Sequence, residues 1–235
     1  MTLARDKETE KTEIFYPTSD GEPVAETYDH LYAILIILEV LRQYLKGRQA
    51  TVLGNQFLYY LEGEPEKRTA PDIMVIFDVA PGGRDSYKIW EEGSTPKVVF
   101  EITSPSTKNE DKKRKKDLYQ EMGIEEYWLF DPKGQWIKSQ LLGYRLKNGV
   151  YEEIKDSRSE PLKLELKVEG KLIGFYREDT GEKLLIPDEL ADRLQLETKA
   201  RQEAEKEVLE ERQRALELEE LLARYRDRFG DLPDN

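Results

Sequence analysis

Apolar residues recur at spacings of three and four between Leu31 and Leu45, through Ile34, Leu35, Leu38 and Leu41. That is the face of an α-helix, and it predicts one from Thr27 to about Leu45, with Thr27 or Asp29 as its cap and Gly47 suited to stop it. So many large aliphatics suit a helix packed on a sheet. The period then changes. Thr51–Leu53 and Gln56–Leu61 are β-branched and aromatic runs bounded by Gly54 and Gly63, and they predict strands. Residues 70–79 and 96–107 contain continuous apolar stretches, as expected of strands buried on both faces. Residues 109–122 have a helix-forming composition that ends at Gly123, and residues 125–132 form another buried strand closed by Asp131-Pro132. Strand, helix, strand in this order predicts an α/β sheet. From Trp136 to Phe175 the segments shorten and alternate, which predicts antiparallel hairpins extending or covering that sheet. Residues 1–25 are polar and read as an arm.

The last portion differs in kind. From Asp188 to about Arg228 there is no Pro or Gly. Val208, Ala215, Leu222 and Phe229 recur every seven residues, with Ala204, Leu218 and Tyr225 at the companion positions. Arg201 and Glu211 interrupt this seam, so the pattern predicts a short or weak coiled coil, or else a lone charged helix lying against the body. The expected organisation is a body over residues 1–187 and a helical tail over residues 188–235.

Composition narrows the chemistry. Of 235 residues, 38% are hydrophobic and 37% charged, as in a soluble chain with one real core. The net charge of -12 argues against coating nucleic acid by bulk charge, and it leaves room for a local basic patch. The tail holds 9 basic and 15 acidic residues, which accounts for half of that charge. With no cysteine, disulfides, thiolate zinc sites and a cysteine nucleophile are excluded. A single histidine, His30, argues against a two-histidine zinc motif and a Ser-His-Asp triad. The longest apolar run, Leu31–Leu38, is too short to span a membrane. The first residues lack the apolar core of a secretory signal, so a cytoplasmic location is expected. Carboxylates, lysines and hydroxyls remain, working with a hard metal ion.

Two acids stand out of pattern. Asp72 follows Pro71 at the mouth of an apolar strand, and Glu101 interrupts Val98-Val99-Phe100 and Ile102. A carboxylate in a buried strand is costly unless it is paired, hydrogen-bonded or holding a cation. Asp72 can be read as a strand-start turn residue, and Glu101 as half of an ion pair with a lysine. Taken together on neighbouring strands, the two make a natural site for Mg²⁺. The run KNEDKKRKK, residues 108–116, places six basic residues in nine, and Asp111, Lys115 and Tyr119 share one helical face. Alone it reads as a solvated helix face. Directly after a carboxylate-bearing strand, it can neutralise phosphates while one lysine reaches back toward the metal.

The blocks PDIMVIFDV, RDSYKIWEEG and PKVVFEITSPSTKNEDKKRKKDLYQEMGIEEYWLFDP resemble the Uma-two family of restriction endonucleases, within the PD-(D/E)XK nuclease superfamily. The resemblance runs from about Thr12 to Ile186. It implies a restriction-endonuclease-like mixed sheet flanked by helices, with hairpin additions and a charged C-terminal helix. It also implies an Mg²⁺-dependent endonuclease, with Mn²⁺ as substitute, acting on nucleic acid and on DNA rather than RNA. Asp72 matches the PD acid and Glu101 the (D/E)XK acid, with the backbone carbonyl of Ile102 as a further metal ligand. Thr103 stands where the superfamily's plain form has lysine, and Lys115 matches the family's helical lysine, Lys116 being its neighbour. Lys108, Lys112, Lys113 and Lys116 are candidates for binding nucleic acid, and Glu26, Asp111 and Tyr119 for accessory roles. Glu26 is preferred over Glu39, although a favourable charge at a helix N-terminus is a complete explanation for it and the simpler one. His30 either faces the site or is structural. Asn55, Tyr59, Tyr127 and Trp128 read as packing residues, and Ser104, Ser106 and Thr107 as a turn and cap after Pro105. The tail is a candidate homodimer contact. The rival reading is a nuclease fold without turnover, acting through its tail as a binding module. Glycoside hydrolysis by the paired acids is a distant third and needs no divalent ion.

Overall fold

A computed structural model describes residues 14–21, 27–103 and 111–230, with only the backbone of residues 111 and 112. The chain divides into two units, Met1–Leu184 and Leu185–Asn235.

The first unit opens with α1 (Tyr28–Tyr44), which buries Ile34 and Leu41 together with Ala33, Ile37 and Val40, whereas Leu31 and Leu35 of the apolar face read from the sequence are exposed. Thr27 occupies the cap position in extended conformation, but its side chain makes no capping hydrogen bond. Asp29 does not cap either: its carboxylate takes Lys171 at 2.8 Å, tying the helix start to a distant hairpin. The Lys171 ammonium beside it holds the Asp29 carboxyl below its usual range.

The next elements are β1 (Ala50–Gly54), β2 (Leu58–Tyr59), β3 (Arg68–Thr69), β4 (Ile73–Phe77), β5 (Tyr87–Lys88), the short α2 (Ile89–Glu92) and β6 (Val98–Ile102). A π-helical turn (Asp111–Lys115) then runs into α3 (Lys116–Glu121) and β7 (Glu126–Phe130). A hairpin of β8 (Leu141–Lys147) and β9 (Val150–Ile154) precedes β10 (Arg158–Ser159), β11 (Leu164–Glu169) and β12 (Leu172–Arg177).

The main sheet has the order β1-β4-β6-β7-β8-β9. β6 and β7 run parallel and the other neighbours antiparallel, so the sheet is mixed. A parallel pair needs a crossover, and α3 lies in the segment that provides it. β10, β11 and β12 form a separate three-stranded sheet, and β3, β2 and β5 another. The stretch Gln56–Leu61, read as one strand, contributes only Leu58 and Tyr59.

Alternation along the strands sorts the core into two faces. Met74, Ile76, Val99, Tyr127 and Leu129 cluster with Tyr119 and Ile124 from the α3 side. On the opposite face Phe100 stacks with Trp128 and meets Phe175 of β12 edge to face, and α1 packs there too. Tyr59, Tyr127 and Trp128 are buried, as packing residues should be. Asn55 is a turn residue instead: its φ is +54°, and its N–H reaches the Asp72 carbonyl at 3.1 Å.

The second unit is dominated by α4 (Pro187–Phe229), 43 residues in one uninterrupted helix. Pro187 suits its first turn, and the Glu189 carboxylate accepts the Ile186 N–H at 3.1 Å. None of its residues is buried. Among the described residues no helix is long and apolar enough to cross a membrane.

Candidate active site

Asp72 immediately precedes β4, and Glu101 is the fourth residue of β6. The register of this antiparallel pair sets Ile73 against Phe100. Continued by one residue, it sets Asp72 against Glu101. Directly opposed residues in such a pair share a face of the sheet, with Cβ atoms about 5 Å apart. The two carboxylates therefore converge on the face that α3 covers.

Different elements fix each acid. Asp72 Oδ2 accepts the backbone N–H of Ile102 at 2.7 Å, clamping the start of β4 to the end of β6. In an extended strand the N–H and C=O of one residue point to the same edge, so the Ile102 carbonyl also faces the Asp72 side. His30, near the start of α1, brings Nε2 to 4.0 Å from Asp72 Oδ2, beyond hydrogen-bond range. Of the two readings of His30, the structure favours the one that faces the site.

Glu101 is 1% exposed and has a partner on each oxygen. Lys115 Nζ lies 2.7 Å from Oε2, and the Tyr119 hydroxyl donates to Oε1 at 2.6 Å. A buried carboxylate without such partners would cost several kcal/mol, or about that order. Lys115 and Tyr119 meet it together because they are one helical turn apart. Lys115 is the last residue of the π-helical turn, and wide turns of this kind recur at functional sites. Burial, the Glu101 charge and the hydrogen bond to it all push the Tyr119 phenol well above its ordinary range. Tyr119 is thus a permanent neutral donor. Its proton is committed to Glu101, so the Thr69 hydroxyl 3.5 Å away is the donor of that weaker contact.

The other candidates sort by place. Lys116 turns away from Glu101 and sets Nζ 3.8 Å from the ring centroid of Tyr144 on β8, in cation–π contact. Lys113 is exposed. Thr103 is buried and donates to the Phe130 carbonyl through its N–H at 2.7 Å and its hydroxyl at 3.3 Å. Glu39 accepts from Gln43 on the next turn of α1. Glu26, Lys108, Ser104, Pro105, Ser106 and Thr107, with the side chains of Asp111 and Lys112, lie outside the described residues.

Sequence reasoning passed over two buried acids and one hydroxyl. Glu126 in β7 accepts from Arg145, from the Trp128 indole and from the Glu160 N–H. Asp131 accepts the N–H groups of Lys133, Trp136 and Ile137. Both are satisfied by structural partners. Their signal, an acid within or closing an apolar run, is the one that singled out Glu101. Thr69 reaches the site through β3, and no local pattern marks it.

The donor set suits a hard cation: carboxylates from adjacent strands, with the Ile102 carbonyl on the same side, and no sulfur. Among the described residues no three acidic, histidine or cysteine side chains form a metal-binding group. An ion here would rely on backbone and water oxygens for the rest of its shell, as Mg²⁺ commonly does. A cavity of about 300 Å³ beside α1 and β1 includes none of these residues. A smaller one of about 50 Å³ is lined by His30, Thr103, Asp131 and Trp136, and so adjoins the site.

Residues 3–173 match the model of the Uma2 family, described as "Putative restriction endonuclease". Among solved structures, one described as a putative nuclease belonging to DUF820, from Anabaena variabilis, is 16% identical. That match covers 71% of this chain and 86% of the other, with a TM-score of 0.44. No curated protein matches the chain.

Proposed function

Because the chain belongs to the Uma2 family of putative restriction endonucleases, we propose that it is an Mg²⁺-dependent endonuclease hydrolysing phosphodiester bonds, in DNA rather than RNA. The observation that carries this reading is the facing pair Asp72 and Glu101, with Lys115 drawn onto Glu101 from the following helix.

Asp72, Glu101 and the Ile102 carbonyl would hold the ion, and Mn²⁺ would satisfy the same oxygen donors. When bound, the ion would polarise a phosphoryl oxygen and acidify a coordinated water. The Ile102 N–H keeps Asp72 in place, and Tyr119 keeps Glu101 oriented without adding charge. Lys115 contributes a fixed positive charge beside Glu101, suited to orient the attacking water and offset charge developing on the phosphate. Lys113, on the exposed side of the run, and Lys116 would neutralise phosphates flanking the scissile one, together with Lys108 and Lys112.

The buried Glu101–Lys115 pair is also what a purely structural bridge would look like, and Thr103 stands where the superfamily's usual lysine would be. Those two facts favour the second reading, a nuclease fold without turnover. Cleavage of DNA and RNA with Mg²⁺ or Mn²⁺ separates the two. The wild type is expected to cut, with Asp72→Ala and Glu101→Ala slower by about 100-fold or more. Three proteins behaving alike on every nucleic acid would leave only the second reading.

A further inference from the structure

The face of α4 between Val208 and Phe229 carries large apolar side chains in water. Val208, Leu222 and Phe229 are 65%, 46% and 66% exposed, and Leu218 and Tyr225 are 60% and 46% exposed. With Ala215 they occupy six of the seven inward positions of three heptads, about 33 Å of helix, Glu211 holding the seventh. A helix in this state lacks the burial that usually stabilises helices in water.

The flanks of this stripe say what covers it. On one flank the charge changes sign every heptad, through Glu205, Arg212, Glu219 and Arg226. The other flank carries Glu207, Arg214, Leu221 and Arg228. In a parallel, in-register pair each residue of the second flank meets the first-flank residue five positions further on in the partner helix. Glu207 then meets Arg212, and Arg214 meets Glu219. Each pairing is attractive and, by symmetry, occurs twice. The sequence complements itself.

We propose that this face is covered by a second copy of the chain, with α4 pairing with α4 in a parallel two-stranded coiled coil from Val208 to Phe229. Glu211 faces its own copy at an inward position, which weakens the pair, so Glu211→Leu tightens it. The inference does not depend on the nuclease reading.

The test is the mass of the full chain by light scattering at about 100 μM, where an association of micromolar strength is nearly saturated. Twice the 27.5 kDa of one chain is expected, falling to a single chain in Leu218→Glu/Leu222→Glu. Arg212→Glu should weaken association at least ~10-fold, and adding Glu207→Arg should restore it, as complementary flank charges require. Because the chain has no cysteine, Leu218→Cys gives one thiol, expected to link two copies under mild oxidation. A wild type that stays single overturns the proposal. So does a dimer that survives Leu218→Glu/Leu222→Glu, or one that does not cross-link through position 218.

Discussion

Glu101 and Glu126 present the same anomaly, an acid inside a fully buried strand, and their partners separate them. Glu126 is opposed in register by Arg145 of β8, a bridge between neighbouring strands. Glu101 draws its cation from a helix instead, beside a second carboxylate. Asp72, Glu101, Lys115 and Tyr119 were legible because acids in apolar runs are improbable and a spacing of four puts two side chains on one face. Thr69 was not legible, because its contact to Tyr119 joins residues far apart in sequence with no periodic signal. The geometry also separates adjacent lysines that sequence alone confuses. Lys115→Met should abolish cleavage and destabilise the fold by about 3 kcal/mol, since it strips a buried charge of its cation. Lys116→Met should cost only about 0.5–1 kcal/mol of stability, from the lost cation–π contact, and should weaken nucleic-acid binding while keeping most of the cleavage rate at saturating DNA. Urea unfolding and cleavage rates of the two variants, measured side by side, check both. Tyr119→Phe leaves Glu101 Oε1 without its donor and should cost about 1–3 kcal/mol by the same unfolding measurement.

Among the elements, long ones with one period were readable and short ones were not. α1, β4, β6 and β7 follow from continuous apolar patterning. The two-residue strands β2, β3 and β5 exist only because they pair with one another, which no local pattern encodes. Nor does composition distinguish the π-helical turn before α3 from a regular helix. The β7–β8 edge shows a requirement that is also silent in the sequence. Gly143 of β8 faces Trp128, and a Cβ at that position would lie 2.4 Å from the indole ring. The glycine is what lets the ring lie flat over the strand. Gly143→Ala should therefore destabilise the first unit by about 1–3 kcal/mol, as overpacking does, seen as a lower urea midpoint.

At the scale of the whole molecule, the buried phenols give the body an alkaline limit. Tyr119, Tyr151 and Tyr87 are all raised above the ordinary phenol value of 10, chiefly by burial, Tyr87 to about 12. A group that holds its proton more tightly when folded stabilises fully below its unfolded pKa, and that share is lost as pH rises toward its folded one. The melting temperature should accordingly fall above about pH 10, and Tyr119→Phe should make that fall shallower, as calorimetry across the range would show. The net charge of -12 means that any hold on nucleic acid rests on the local lysine run, a feature the sequence displayed openly. How the two acids face each other was less open, because it depends on a strand register linking residues 29 apart. That facing pair is the centre of the functional account, and Mn²⁺ binding followed by electron paramagnetic resonance tests it without any substrate. The account predicts one bound ion per chain in the wild type, and loss of that ion in Asp72→Ala and in Glu101→Ala. Binding that is unchanged in both variants, or absent from the wild type, would contradict it.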